Sequence, residues 1–267
     1  MKKIFLLSLM SAFLFVACKK DKDETEESNP GVTNPSSEYK LIEKDTTDND
    51  LIVELYAENE TLEMGYTPVY VKVENLNGDL VENAMVSFMP MMDMGMMQHT
   101  TPTVQPIYNS TSGYYEGVIV FVMSSSQGAW DIEIMVDGEA ATMDLNVLGA
   151  PAGEKHVGSY VGTNGDSYFV SIVKPLDWSV GMNDVSFMVH KRESMMSFPV
   201  VEGLTIAMDP QMTSMGHGSP NNISPVSVGD GFYEGEVNFT MTGDWRLNLD
   251  LIDAGDTIVN ANIDVLF

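Results

Sequence analysis

Residues 113–123 read Gly113-Tyr114-Tyr115-Glu116-Gly117-Val118-Ile119-Val120-Phe121-Val122-Met123, and residues 231–241 return as Gly231-Phe232-Tyr233-Glu234-Gly235-Glu236-Val237-Asn238-Phe239-Thr240-Met241. In the second stretch Tyr233, Val237, Phe239 and Met241 alternate with Glu234, Glu236, Asn238 and Thr240. A period of two with one apolar and one polar set is the mark of a strand with one face buried and one face wet. The first stretch has the same period, with Tyr115, Gly117, Ile119, Phe121 and Met123 set against Glu116, Val118, Val120 and Val122. Sliding the chain by 118 residues lays 86–123 on 204–241 without a gap, so that Met94, Met97, His99 and Pro102 fall on Met212, Met215, His217 and Pro220. Upstream, a shift of 116 pairs Asp50, Gly65, Val69 and Val73 with Asp166, Gly181, Val185 and Val189, and downstream a three-residue gap lets Trp130 meet Trp245. One unit is therefore present twice.

Further strands flank this one in each copy. Trp130, Ile132, Ile134 and Val136, like Trp245, Leu247, Leu249 and Leu251, keep the period of two, and Val69–Val73 and Ala84–Phe88 add strands around an Asn77-Gly78-Asp79 turn. No segment shows a long helical period. The expected class is all-β, two tandem immunoglobulin-like β-sandwich domains at 41–148 and 157–267, with a linker at 149–156 that contains Gly149-Ala150-Pro151-Ala152-Gly153. The length of 267 residues agrees with about two domains of roughly 100–150 residues each.

The charge narrows the partners. With 39 acidic side chains against 13 basic ones, a net charge of -26 repels phosphate backbones, and no nucleic-acid partner is expected. Residues 1–17 read as a signal peptide, with Lys2-Lys3 before an apolar run too short to anchor in a bilayer. Phe15-Val16-Ala17-Cys18 resembles the lipobox of bacterial lipoproteins, although Phe15 stands where leucine is usual. Cys18, the only cysteine, is the expected lipidation site; an ordinary cleaved signal is the alternative. Residues 18–40 then form a flexible acidic stalk carrying Asp21, Asp23, Glu24, Glu26 and Glu27. An acidic cluster behind the lipidated residue resembles the export signal of some Gram-negative lipoproteins; a plain solvated spacer is the equal alternative. The expected place is the bacterial cell envelope, as an outer membrane lipoprotein held through its N-terminal lipid on the periplasmic or surface-exposed face.

Methionine is concentrated in one place. Six of the nine residues 89–97 are Met89, Met91, Met92, Met94, Met96 and Met97, followed by His99. Methionines on strand patterns, Met85, Met123, Met143, Met188 and Met241, are read as core filling. The run from 89 to 99 is read as a loop, because Pro90, Asp93, Gly95 and Gln98 interrupt it. Thioether sulfur is a soft ligand and imidazole a borderline one, a combination that suits Cu(I) and poorly suits zinc, calcium or magnesium. Met-x-x-Met-x-His occurs twice, as Met94, Met97, His99 and as Met212, Met215, His217, with Met91, Met92 and Met96 as auxiliary ligands in the richer first copy. In the alternative, the same side chains cap the open end of the core, with the histidines bonded to the following turn.

These residues also carry a family resemblance. A methionine-rich segment ending in His-x-x-Pro, a Gly-Tyr/Phe-Tyr-Glu-Gly strand and a Gly-x-Trp strand resemble the YtkA-like and FixH-like domains of bacterial envelope proteins. The residues are Met94, Met97, His99, Pro102, Gly113, Tyr114, Tyr115, Glu116, Gly117, Gly128 and Trp130, and again Met212, Met215, His217, Pro220, Gly231, Phe232, Tyr233, Glu234, Gly235, Gly243 and Trp245. The resemblance implies a small β-sandwich and an association with copper handling and with assembly of copper-containing respiratory oxidases. FixH-type members are held by a transmembrane helix, unlike this tandem.

Elsewhere the chain offers little chemistry. His156 and His190 are read as surface residues, Trp130 and Trp245 as core, and Glu116 and Glu234 as solvent-facing. There is no His-Glu-x-x-His, Gly-x-Ser-x-Gly, phosphate loop or complete calcium loop, so no enzyme is expected. Two readings remain. In the first, Met/His loops buffer copper, Cu(I) above all, or pass it to a metal acceptor. In the second, sticky methionine loops dock a protein partner.

Overall fold

Alternating apolar residues build strands throughout the computed structural model, which describes residues 39–173 and 176–267. The signal peptide, Cys18 and the stalk as far as residue 38 lie outside the described residues. The first half contains β1 (Lys40–Thr46), β2 (Ile52–Ala57), β3 (Leu62–Glu63), β4 (Gly65–Glu74), β5 (Val86–Asp93), β6 (Gln98–Thr100), β7 (Thr103–Asn109), β8 (Tyr114–Phe121), β9 (Ala129–Val136), β10 (Glu139–Leu145) and β11 (Val147–Leu148). The second contains β12 (Val157–Val161), β13 (Ser167–Ile172), β14 (Gly181–Arg192), β15 (Thr205–Met212), β16 (His217–Gly218), β17 (Ile223–Gly229), β18 (Phe232–Phe239), β19 (Asp244–Asp253) and β20 (Asp256–Leu266). Among the described residues there is no helix.

Each half is a two-sheet, immunoglobulin-like sandwich. The first stacks a five-stranded sheet, β1-β2-β4-β8-β7, on a four-stranded one, β10-β9-β5-β6, and the second repeats this as β12-β13-β14-β18-β17 on β16-β15-β19-β20. Strands 4 and 8 pair centrally in the first half, as 14 and 18 do in the second, and all these pairs are antiparallel. Val69, Val71, Val73, Ile119 and Phe121 meet Phe88, Trp130, Ile132 and Ile134 in the first core. Val185, Phe187, Val189, Val237 and Phe239 meet Ile206, Trp245, Leu247 and Leu249 in the second.

The repeated Gly-Tyr/Phe-Tyr-Glu-Gly motif has a mechanical reason. The Tyr115 hydroxyl donates to the Val81 carbonyl at 2.7 Å and accepts from the Ala84 amide at 3.1 Å, pinning the crossover from β4 to β5. Tyr233 does the same, donating to Val201 O at 2.9 Å and accepting from Leu204 N at 3.2 Å. The motif's last glycine lets the edge strand bulge inward: a Cβ on Gly117 would lie 2.8 Å from Val104 O, and one on Gly235 would lie 2.5 Å from Ile223 O.

The outer faces of the two five-stranded sheets pack on each other. Tyr66 and Val120 of the first sandwich are buried with Val157 and Met188 of the second, flanked by Val104, Val118, Val122, Val173 and Phe232. Tyr66 meets Phe232 edge-on, with ring centroids 6.2 Å apart. The connection between the sandwiches is itself tied down. Lys155 exchanges both backbone hydrogen bonds with Asp264, at 2.8 and 3.2 Å, and its ammonium donates to Tyr160 Oη and Asn262 Oδ1.

This packing corrects the reading of two histidines as surface residues. His156 is buried, its Nε2 2.6 Å from Glu154 Oε2. His190 is only 1% exposed, and neither ring nitrogen has a hydrogen-bond partner. Charging it would place an unpaired cation in an apolar site, so burial pushes its pKa down to about 4. His190 shares the outer face of β14 with Met188, and its cross-strand neighbour on β13 is Phe169.

Candidate functional site

The methionine run is a hairpin, which corrects its reading as a loop. Strand β5 continues through Asp93, with Phe88, Pro90 and Met92 facing inward and Met89 and Met91 outward. Only Met94, Gly95, Met96 and Met97 form the turn, closed by Met94 N to Met97 O at 3.0 Å and by a positive φ at Gly95. Asp93 braces it, accepting from Gly95 N at 2.6 Å and from Gln98 Nε2 at 3.0 Å, and these bonds hold its carboxyl below the usual range. The period of two was hidden in the sequence because methionine occupies both faces, and because Pro90 interrupts a strand at the point where the short edge strand β6 has already ended.

Registers across the hairpins also correct the ungapped alignment. Met92 stands opposite His99 on one side and Trp130 on the other. Met212 stands opposite His217 and Trp245. Residues directly opposite on antiparallel strands share a face, so each copy carries a His–Met–Trp row across three strands. The structural counterpart of Met212 is therefore Met92, and the first hairpin is one rung longer, through the Asp93–Gln98 pair.

Buried Met92 belongs to the core beneath His99, and the Gly-x-Trp pattern makes room for it. A Cβ on Gly128 would lie 3.0 Å from the Met92 methyl and 2.5 Å from Asp93 O, and one on Gly243 would lie 2.3 Å from the Met212 methyl. Gly128→Ala is expected to push the end of β5 outward and cost about 1–3 kcal/mol, read from the urea midpoint. A variant as stable as the wild type would show that the strand end yields freely.

The two histidines are oriented alike. His99 Nδ1 lies 2.8 Å from the Thr100 carbonyl and His217 Nδ1 lies 3.1 Å from the Gly218 carbonyl. A carbonyl only accepts, so in both rings Nδ1 carries a proton, and in the neutral tautomer the lone pair falls to Nε2. A carbonyl holding one imidazole nitrogen is the usual support for a ring that ligates metal through the other. Each ring also stands edge-on to its tryptophan, with centroids 6.1 Å apart for His99–Trp130 and 5.8 Å for His217–Trp245. The indole nitrogens are satisfied elsewhere, by Met123 O and Met241 O.

Around His99 the side chains converge. A cavity of about 290 Å³ is lined by Met94, Met97, His99 and Met123 from the first sandwich, and by Phe169, Arg192, Met195 and Phe198 among residues of the second. His99 is 8% exposed, whereas Met94 and Met97 are partly open to solvent. Arg192 turns its guanidinium to Ser167 Oγ at 3.0 Å.

The second copy is more open. Met212 is buried, Met215 stands out from the turn and His217 is half-buried. Asp244 braces this turn through Thr213 and the backbone and hydroxyl of Ser214, which hold its carboxyl at about 2. Of the proposed auxiliary donors, Met91 faces outward on β5, Met92 is in the core and Met96 is fully exposed.

Methionines read as core filling divide. Met143 is buried within its sandwich, Met188 lies at the sandwich interface, Met123 lines the cavity, and Met85 and Met241 are exposed. Sequence reasoning missed Met195. Its signal was the pair Met195-Met196 between two serines, a local density like that of Met96-Met97. Among the described residues no cluster of three His, Cys, Asp or Glu side chains could hold a metal ion.

Comparison with known proteins places the family signal on the second copy. Residues 163–250 match the family model described as YtkA-like. That span includes Met212, Met215, His217 and Trp245. No curated protein sequence matches the chain. Among solved structures, InvD of Yersinia pseudotuberculosis is 18% identical, with 79% of this chain and 56% of that one covered and a TM-score of 0.27. The Escherichia coli adhesin FdeC is 12% identical, with 80% and 63% covered and a TM-score of 0.27. Invasin, a bacterial integrin-binding protein, is 12% identical, with 86% and 38% covered and a TM-score of 0.26. The chain thus spans less than two thirds of each of these three structures.

Proposed function

We propose that this chain, whose second sandwich carries a YtkA-like domain, is a cell-envelope protein that takes up copper as Cu(I) and buffers it or passes it to an acceptor, held to the membrane by a lipid on Cys18. The observation that carries the reading is that Met94, Met97 and His99 line one cavity, with Nδ1 of His99 committed to Thr100 O and Nε2 left without a protein partner among the described residues. All of these donors are neutral, and the one ionised side chain in the lining is the cation Arg192. A divalent ion would keep its full charge in a largely apolar wall, which is costly, whereas a soft monovalent ion draws covalency from sulfur. The set therefore suits Cu(I) over Cu(II) or zinc. Trp130 and the Thr100 carbonyl orient the imidazole, which reduces the ordering that binding would ask of that ring.

The test is a Cu(I) titration under reducing conditions against a competing chelator, on the wild type and on His99→Ala/His217→Ala. One or two ions bound tightly, with affinity reduced at least about tenfold in the double variant, is the expected result. Silver(I) should compete and zinc should not. A second reading is favoured by the full exposure of Met96 and the outstanding Met215, which leave apolar, adaptable tips facing solvent. If the wild type does not compete for Cu(I), the copper reading falls and these tips become docking contacts for a protein partner.

A further inference from the structure

The cavity around His99 is closed by the other copy. After β14 the chain makes a tight turn, Ser194-Met195-Met196-Ser197, in which Ser194 N reaches Ser197 O at 3.3 Å and Met196 N reaches Ser194 Oγ at 3.1 Å. This turn presses on β6 of the first sandwich, where Thr100 N donates to Met195 O at 2.9 Å. The bond adjoins His99, whose ring is held by the carbonyl of the same Thr100. On one side of the contact Met195 joins Met94, Met97, His99 and Met123 in lining the cavity. On the other, Met196 enters a separate hollow with Met89 and Met135.

We propose that the copper site of the first sandwich is shared between the two copies, with Met195 of the second sandwich supplying a thioether to the ion held by Met94, Met97 and His99. The proposal rests on the copper reading above and extends it to the number and identity of the ligands. A closed-shell monovalent ion accepts three or four soft donors without geometric demand, and Met195 is the donor the second sandwich contributes to this cavity. Its backbone is anchored to the residue next to the histidine, which brings its side chain to the wall of the same cavity. The second copy, where Met215 and His217 are at least partly open to solvent and Met212 lies in the core, has no such contribution among the described residues around it. The two repeats therefore bind unequally. The first is the tighter and requires both sandwiches, and the second exchanges its ion more readily.

The experiment is a Cu(I) competition titration on the full chain and on its Met195→Leu and Met196→Leu variants, with sulfur ligands counted by X-ray absorption. Leucine nearly preserves the volume of methionine and removes the sulfur, and thermal melts check that each variant is folded. Met195→Leu should lower the affinity of the tighter site at least about tenfold and remove one sulfur from the copper shell, while Met196→Leu stays within about twofold of the wild type. Wild-type affinity and sulfur count in Met195→Leu would overturn the sharing and leave the copper reading intact. Equal losses in both variants would also overturn it, because the turn would then act by packing. Absence of Cu(I) binding in the wild type removes the copper reading and this inference with it.

Discussion

Trp130→Ala is expected to destabilise the chain by about 3–5 kcal/mol and to weaken Cu(I) binding at the first site, while Met96→Ala changes neither. Trp130 is nearly fully buried, packs edge-on against Phe121 with centroids 5.4 Å apart, and stands beside Met92 and His99 in the inner row. Removing the indole leaves a cavity that rigid strands on both sides fill only partly. It also frees the Met123 carbonyl and withdraws the wall behind the imidazole. Met96 at the turn tip is fully exposed and has no such neighbours. Urea unfolding gives the stability and the chelator titration the affinity. A loss under about 1 kcal/mol for Trp130→Ala would mean that the row does not support the site.

Acid should loosen the fold through His190, at higher pH than through the carboxylates. His190 is held neutral in the folded chain, with its pKa pushed down from 6.5 to about 4 by desolvation. The unfolded chain takes up a proton near its ordinary pKa, and the folded chain does so only near 4. The stability that His190 permits is therefore complete above pH 6.5 and is lost as the pH falls toward 4, by about 3 kcal/mol in all. His190→Leu removes the titrating group and should flatten the dependence of the urea midpoint between pH 7 and pH 4.5. An unchanged slope in that variant would mean that the ring reaches solvent or finds a partner as it protonates.

The sandwich class was legible because Tyr233, Val237 and Phe239 against Glu234, Glu236 and Asn238 admit no other period, and because the unit occurs twice. The docking of the copies was written in the same strands. Where the second copy has Glu236, Asn238 and Thr240 on its outer face, the first has Val118, Val120 and Val122, and those valines border or enter the cluster between the sandwiches. Without the partner face in view, the valines read only as a less regular strand. The burial of His156 and His190 was hidden for the same reason, since contact between domains leaves no local period. Around His99 the sequence singled out Met94, Met97 and the histidine itself. It misaligned Met94 with Met212, because a hairpin that gains one rung adds two residues without disturbing the histidine match.

The face shared by the two five-stranded sheets bears on what this duplication can become. Val120, Val157 and Met188 are almost fully removed from water there, and a fully buried side chain of this kind contributes about 1.5–3 kcal/mol. A copy separated from its twin would show those residues to solvent and would also lose the Lys155–Asp264 pairing if severed at Val157. Such a fragment is prone to self-association. The gene segment for one repeat is consequently no longer a portable module: each copy serves as the other's lid, and recombination or truncation can move them safely only as a couple.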